Sequence, residues 1–226
     1  MTMSDQLFKK RTKKEKIETS VKRLVKPYRH LIVCEGEKTE PLYFEHYKKL
    51  IDGKYGKTGG IDIIEILGEG KNTVSLVECA EKRAKEARVG FGTVWCVFDK
   101  DSFEDEQFNK AITLCKNKGY KAVWSNECIE LWFLLHFNYL TAAIDRKSYM
   151  EKLNEIFSKK KIVGGRYKKN LEDIHSILTT HGSEGQAIKH ARKLGNLFDD
   201  KTTPSKQKPM TKVYELVEEL NSMLSD

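Results

Sequence analysis

Four short apolar runs recur along residues 29–140, and each is followed by a more polar stretch. The runs cover residues 30–35, 61–67, 93–98 and 120–125. Runs of this length, bounded by acidic residues and glycines, are typical of buried strands. The stretches between them repeat apolar residues every three to four positions, which is the spacing of one helix face. The pattern therefore predicts four strands that alternate with helices.

Strands that alternate with helices predict a parallel sheet with helices on both faces. We therefore expect an α/β fold: a four-stranded, mostly parallel sheet, flanked by helices, over residues 29–140. Residues 141–226 are more polar and predict a helical C-terminal region that packs on this sheet. Its helices are predicted at about 145–158, 170–179, 183–195 and 210–224, and a buried helix is predicted at 127–137.

Composition fits a folded intracellular protein. Hydrophobic residues make up 39% of the 226 residues, which is enough for a core. No apolar run reaches the roughly 18 residues of a membrane span, and no secretory signal is visible. The five cysteines are widely spaced and favour reduced core thiols over a zinc site or disulfides. We expect a cytoplasmic protein that does not associate with membranes.

The charge balance favours a polyanionic partner. Lysine and arginine number 41 against 33 acidic residues, which gives a net charge of +8. One basic cluster lies in residues 1–28, which lack a sustained apolar stripe and are expected to form a mobile arm. Others lie at 159–169 and 201–212. A lysine-rich surface also serves solubility alone, and that alternative stays open for each cluster.

One basic segment also carries an aromatic ring. Arg166, Tyr167, Lys168 and Lys169 combine a ring that can stack on a base with cations that can neutralise phosphates. We therefore predict nucleic-acid binding by this segment. A solvated helix start explains the same residues equally well.

Acidic residues follow the predicted strands at the edge where open parallel sheets bind ligands. Glu35 ends the first strand, Asp99 and Asp101 follow the third, and Glu130 lies in the helix after the fourth. Alternate residues share a side of the chain, so Asp99 and Asp101 can point to one place. Converging carboxylates repel one another unless a cation intervenes. We predict that Glu35, Asp99 and Asp101 bind Mg²⁺ or Mn²⁺, which prefer such oxygen ligands.

Several nearby residues have two interpretations. Glu37 and Glu40 suit the first turn of a helix, where the dipole favours negative charge. We prefer that interpretation for Glu40, whereas Glu37 fits an auxiliary role in the site equally well. Glu130 lies in an apolar segment, so it either points into the site, which we favour, or pairs with a buried cation. Lys100 can offset negative charge that develops in a transition state. For His136 we prefer a structural role with a hydrogen bond, and an auxiliary role in the site is the second interpretation.

Two motifs together resemble the Toprim domain, the Mg²⁺-dependent module of topoisomerases, primases and some nucleases. They are Leu-Ile-Val-Cys-Glu-Gly at 31–36 and Val-Phe-Asp-Lys-Asp at 97–101. The wider pattern is closer to the RloB-like proteins. That resemblance spans about residues 29–222 and includes the segments 34–41, 95–101, 125–137 and 167–170 and the stretch from Thr203.

The resemblance implies a Toprim-like fold and a nuclease role in bacterial anti-phage defence. Proteins of this kind are often encoded beside restriction genes or an ATPase of the ABC/AAA type. Glu35 matches the Toprim glutamate, and Asp99 and Asp101 match its Asp-x-Asp pair. Many Toprim domains have a glycine soon after the second aspartate, which this chain lacks. Whether Glu104 or Asp105 joins the metal site therefore stays open.

Two hypotheses about function follow. In the first, the protein is a Mg²⁺-dependent nuclease that cuts DNA or RNA, with Glu35, Asp99, Asp101 and Glu130 as catalytic residues and with Glu35 as a metal ligand or general base. In the second, it is a catalytically silent subunit that binds metal or nucleic acid and acts only with a partner ATPase. The sequence leaves open whether the chain forms a homo-oligomer.

Overall fold

The computed structural model describes residues 28–56 and 61–225, so the predicted N-terminal arm lies outside the described residues except for Tyr28. The chain forms one five-stranded sheet in the order β2-β1-β3-β4-β5. The strands are β1 (His30–Cys34), β2 (Ile64–Gly68), β3 (Thr93–Asp99), β4 (Lys121–Asn126) and β5 (Met210–Thr211). The α-helices are α1 (Thr39–Tyr55), α2 (Thr73–Glu86), α3 (Asp105–Asn117), α4 (Glu130–Leu135), α5 (Arg146–Lys159), α6 (Ile174–His181), α7 (Glu184–Gly195) and α8 (Val213–Leu224).

The first four strands pair in parallel, as expected, and β5 pairs antiparallel with β4. The α/β class and the mostly parallel sheet are thus confirmed, but the sheet has five strands rather than four. The additional strand has two residues, which is too short to show the alternation that identifies strands in a sequence. Residues 210–211 were instead predicted as the start of the last helix, which begins at Val213.

Two predicted helices have different bounds for local reasons. The helix predicted over 127–137 is the six-residue α4, and all six of its residues are buried. Helix α6 begins at Ile174 instead of near residue 170. Asn170 adopts a left-handed conformation with φ of 64°, which a helix cannot continue through.

Helices cover both faces of the sheet. Helices α2 and α3 pack against β1, β3 and β4 on one face, and α1 and α8 pack on the other. Helices α4 to α7 gather beside α1 and α8. One continuous hydrophobic core contains residues from both sides of residue 140. None of the helices in the described ranges is long and apolar enough to cross a membrane.

The strand order creates a crevice between two strand ends. From β1 the chain passes to β2 on one side and then crosses to β3 on the other side of β1. In open α/β sheets, ligands bind where neighbouring connections leave in opposite directions, beyond the carboxyl ends of the strands. In this chain that point lies between Glu35, which follows β1, and Asp99, which ends β3.

A buried hydroxyl pair joins β5 to the sheet and provides a test of this pairing. Ser125 Oγ and Thr211 Oγ1 lie 2.9 Å apart and are both buried. We expect Thr211→Val to lower the free energy of unfolding by about 1–3 kcal/mol, because it leaves the Ser125 hydroxyl unpaired. Ser125→Ala should lower the free energy of unfolding much less in the Thr211→Val variant than in the wild type. Urea denaturation measures both, and fully additive costs would contradict the pairing.

Candidate functional site

Glu35 and Asp99 are adjacent in space although 63 other residues separate them in the chain. The Glu35 backbone N–H donates to the Val97 carbonyl at 2.9 Å, which continues the ladder between β1 and β3. The Asp99 backbone N–H donates to Glu35 Oε2 at 3.1 Å. Parallel pairing therefore brings the two predicted acids to the same point of the sheet edge, and Asp99 is only 4% exposed.

These acids line a cavity of about 330 Å³ at the carboxyl edge of the sheet, which we call the acidic pocket. The loops after β1, β2 and β3 and the start of α5 form its walls. Its lining residues are Glu35, Gly36, Glu40, Gly70, Lys71, Asn72, Asp99, Asp101, Phe103 and Arg146. Three of the four acids predicted to be catalytic, Glu35, Asp99 and Asp101, therefore line one cavity.

Glu40 also belongs to the acidic pocket. It lies in the first turn of α1, as the helix-dipole interpretation requires, but it is buried and lines the cavity. Its carboxylate folds back against Gly36, and any Cβ at that position would collide with Glu40 Oε2. Gly36 thus makes room for the carboxylate. The sequence favoured the helix-start interpretation for Glu40, and the glycine four residues before it was the available signal for a place in the pocket.

Glu130 is the most deeply buried of the predicted acids, with 1% of its surface exposed. Its Oε1 accepts a hydrogen bond from the Tyr167 hydroxyl at 3.3 Å. Its Oε2 is buried without a hydrogen-bond partner among the described residues. Its charge raises the pKa of Glu40 and of Asp99, both of which burial already raises, so Glu130 lies close behind the acidic pocket.

Arg146 supplies the cation that contacts the two aspartates. Its guanidinium donates to Asp99 Oδ2 at 2.9 Å and to Asp101 Oδ2 at 2.5 Å. Arg146 is the first residue of α5, so it comes from the C-terminal helical region. Sequence reasoning missed it because no local pattern links position 146 to residues about 45 positions earlier. Lys71 also lines the pocket, but its ammonium pairs with Glu69 at 2.9 Å.

Negative charge exceeds positive charge in this pocket, and the carboxyl pKa values reflect that excess. Burial, together with the charges of Glu40 and Asp101, raises the pKa of Glu35 to about 7, although the hydrogen bond from the Asp99 backbone and the charge of Arg146 oppose the shift. Burial, followed by the charges of Glu40 and Glu130, raises the pKa of Asp99 well above its usual range. A single guanidinium therefore does not neutralise the cluster.

The donor set suits a hard divalent cation, although the side chains are not arranged around one. Among the described residues, no group of three or more His, Cys, Asp or Glu side chains has the arrangement of a metal site. Arg146 instead contacts one oxygen of Asp99 and one of Asp101. Carboxylate oxygens are the ligands that Mg²⁺ and Mn²⁺ prefer, and Glu130 Oε2 is a buried acceptor with no hydrogen-bond partner in the part of the chain that the structure describes. The residues present therefore fit such an ion chemically.

Four residues near the aspartates lie outside the pocket lining. Lys100 pairs with Asp105 at 3.2 Å and also donates to the Phe103 carbonyl. Asp105 pairs further with Lys206 at 2.6 Å, and Glu104 is exposed. Glu37 is exposed and lies against Gly70 at the rim of the pocket. In this structure neither Glu104 nor Asp105 joins the acidic pocket, and Lys100 points to Asp105.

His136 has a structural environment. It is 3% exposed, its Nδ1 lies 3.0 Å from the Trp132 carbonyl oxygen, and its ring packs edge-on against the Trp132 ring. Burial lowers its pKa to about 4. The ring of His136 does not line the acidic pocket. This placement agrees with the structural interpretation of His136 and does not support an auxiliary role in the site.

The basic segment 166–169 divides into a buried residue and three exposed ones. Tyr167 is 3% exposed and packs between Phe133 and Phe157, so the base-stacking role predicted for it does not fit this placement. A tyrosine among polar residues gave no sequence signal that its ring belongs to the core. The flanking cations, Arg166, Lys168 and Lys169, are exposed.

One of the exposed cations, Lys169, lies close to the acidic pocket. The Thr39 hydroxyl donates to Asn170 Oδ1 at 3.1 Å, which joins the end of the basic segment to the start of α1. Glu40 follows Thr39 directly, and the charge of Lys169 partly opposes the raised pKa that burial gives Glu40. A polyanion that contacts Lys169 would therefore lie beside the pocket.

The fold and pocket define a class: an α/β protein whose parallel sheet carries a carboxylate-rich cavity at its topological switch point. A family model described as RloB-like protein matches residues 30–220. The chain belongs to the RloB-like family, as the sequence motifs indicated. Neither the search of curated proteins nor the search of solved structures finds a match.

The excess negative charge in the pocket predicts that neutralising the buried Glu40 and neutralising the partly buried Glu184 have opposite effects on stability. We expect Glu40→Gln to raise the free energy of unfolding in EDTA at pH 8 by about 1 kcal/mol, because it removes a repelled charge. Glu184 is the matched control. It accepts hydrogen bonds from Tyr47, His175 and Asn221, which lower its pKa to about 2 although burial opposes them. Glu184→Gln should therefore destabilise the protein by about 1–3 kcal/mol, and a destabilising Glu40→Gln would contradict the charge analysis.

Glu35 predicts a pH dependence of stability. The fold raises the pKa of Glu35 from its ordinary value of 4.5 to about 7, mainly by burial. The folded state therefore binds the proton more tightly than the unfolded chain does. This contribution is complete below pH 4.5 and is lost as the pH rises through 7. In EDTA, we expect wild type to lose on the order of 2 kcal/mol relative to Glu35→Gln between about pH 5 and 8. Urea titrations measure the free energy of unfolding of both proteins. If wild type keeps or gains stability relative to Glu35→Gln as the pH rises, the prediction is wrong.

Proposed function

We propose that this RloB-like protein is a Mg²⁺- or Mn²⁺-dependent nuclease that hydrolyses phosphodiester bonds of DNA or RNA. The observation that carries the proposal is the convergence of Glu35, Glu40, Asp99 and Asp101 on one cavity at the switch point of the sheet. Burying several carboxylates together costs stability, and a fold retains such a cluster most readily where it binds a cation. The resemblance to Toprim nucleases supports the same assignment.

In this proposal, Glu35, Asp99 and Asp101 would hold the ion, and Glu40 and Glu130 would add negative charge behind it. The bound ion would supply Lewis-acid stabilisation for charge that develops on the phosphate oxygens. The raised pKa of Glu35, to about 7, suits a group that accepts a proton near neutral pH. Glu35 therefore remains a candidate for the general base as well as a ligand.

The exposed cations beside the pocket would hold the nucleic acid. Arg166, Lys168 and Lys169 are exposed, and Lys169 lies near Glu40, because its charge partly opposes the raised pKa of that carboxyl. Such a basic approach offsets the repulsion that an acidic pocket exerts on a phosphate backbone. The net charge of +8 acts in the same direction at longer range.

A specific observation supports the alternative of a subunit that is silent alone. Arg146 ties up one oxygen of Asp99 and one of Asp101, so the isolated chain holds its aspartates in ion pairs. A partner that moves α5 would release them. The resemblance to defence proteins encoded beside an ABC/AAA-type ATPase makes such an ATPase the first partner to test.

We expect Asp99→Asn to lower the rate of cleavage by about two orders of magnitude or more, because it removes charge from the proposed metal site. Asp105→Asn is the matched control, since Asp105 pairs with Lys100 and Lys206 outside the pocket. It should cut at close to the wild-type rate. The assay uses purified protein with Mg²⁺ or Mn²⁺ on plasmid DNA and on tRNA. If Asp99→Asn cuts as fast as wild type, the assignment is wrong.

The same assay with and without a candidate partner ATPase of the ABC/AAA type separates the two functions. Cleavage by the chain alone supports the nuclease, and cleavage that appears only with the ATPase supports a nuclease under partner control. If no metal and no partner combination yields cleavage, the silent subunit becomes the better account.

A further inference from the structure

Arg146 occupies the place where the proposed divalent cation would need its ligands. One nitrogen of its guanidinium contacts Asp99 Oδ2 and another contacts Asp101 Oδ2, at 2.9 and 2.5 Å. Each aspartate thus gives one oxygen to the arginine. A divalent ion needs those carboxylates at about 2.0–2.2 Å, so the ion and these two ion pairs compete for the same groups.

The surroundings of Arg146 suit a side chain that changes partners. Its side chain is 32% exposed, whereas the Asp99 side chain that it contacts is 6% exposed. Its Nε is buried without a hydrogen-bond partner among the described residues, so the guanidinium is only partly satisfied where it lies. Arg146 is the first residue of α5, and a change of its side-chain rotamer would leave the backbone hydrogen bonds of the helix in place.

The charge balance of the pocket favours replacement of the Arg146 guanidinium by a divalent cation. One guanidinium carries a single positive charge, whereas four carboxylates line the pocket and Glu130 lies close behind them. A divalent ion doubles the compensating charge at the same point. The displaced guanidinium would then face a phosphate, which arginine binds with two parallel hydrogen bonds.

We propose that Arg146 is the resident counter-ion of the acidic pocket, that a divalent cation displaces it, and that it then pairs with a phosphate of the bound nucleic acid. This inference rests on the proposed function and assigns Arg146 two successive partners. It makes Arg146 both a competitor of the metal and a contact of the substrate. A purely structural ion pair would be neither.

Metal affinity in the absence of nucleic acid tests the exchange directly. We would titrate Mn²⁺ into the purified full chain by calorimetry and follow free Mn²⁺ by electron paramagnetic resonance. Arg146→Gln should bind Mn²⁺ about tenfold more tightly than wild type, because the competing cation is gone. It should also gain a larger increase in melting temperature when Mn²⁺ is added. At saturating Mn²⁺ it should nevertheless cut plasmid or tRNA more slowly, since the phosphate contact is lost.

Two further variants control the experiment. Arg192→Gln removes an arginine that does not line the pocket and that pairs with Glu218 at an N–O distance of 2.6 Å. This variant should bind Mn²⁺ like wild type. Arg146→Lys keeps one charge but cannot reach both aspartates with a planar fork. It should show an intermediate affinity, and it serves as the test if Arg146→Gln fails to fold.

The outcomes separate this inference from the proposed function. If wild type binds Mn²⁺ and Arg146→Gln binds it equally or more weakly, the exchange is wrong while the metal-dependent nuclease stands. If Arg146→Gln binds more tightly and also cuts as fast as wild type at saturating Mn²⁺, the phosphate contact is wrong. If no form of the protein binds Mn²⁺, the exchange and the proposed nuclease fail together.

Discussion

Repulsion among buried carboxylates at the carboxyl edge of the sheet is the constraint on which this structure depends. Parallel pairing of β1 with β3 places Glu35 against the backbone of Asp99, and Glu40 folds back to the same cavity. The strand register fixes the backbone positions of Glu35 and Asp99, so these two acids meet at the same edge of the sheet. The raised pKa values of Glu35 and Asp99 reflect this repulsion, and the contacts of Arg146 with Asp99 and Asp101 supply positive charge that opposes it.

The same constraint explains why the C-terminal helices belong to the site. Arg146 begins α5, and Tyr167 precedes α6 and donates its hydroxyl to Glu130. The sheet supplies the acids, whereas the helical region supplies the groups that contact them. The pocket is thus complete only when both parts of the chain are folded together.

Sequence patterns predicted what depends on local periodicity and on strand ends. They identified the four parallel strands, and they placed Glu35, Asp99 and Asp101 at one edge, because apolar runs mark strands and parallel strands share a carboxyl edge. They missed the contacts of Arg146 and the burial of Tyr167, because both depend on packing between elements far apart in the chain. The two-residue β5 was missed because its pairing comes from β4 rather than from its own sequence.

A divalent cation in the acidic pocket is the central claim, and anomalous diffraction from a crystal soaked with Mn²⁺ tests it most directly. The account predicts a strong anomalous peak within coordination distance of Glu35 and Asp99, at about 2.0–2.3 Å from carboxylate oxygens, with the guanidinium of Arg146 moved away from Asp99. A fully occupied soak that leaves the ion pairs of Arg146 intact, with no peak in the pocket, would contradict it.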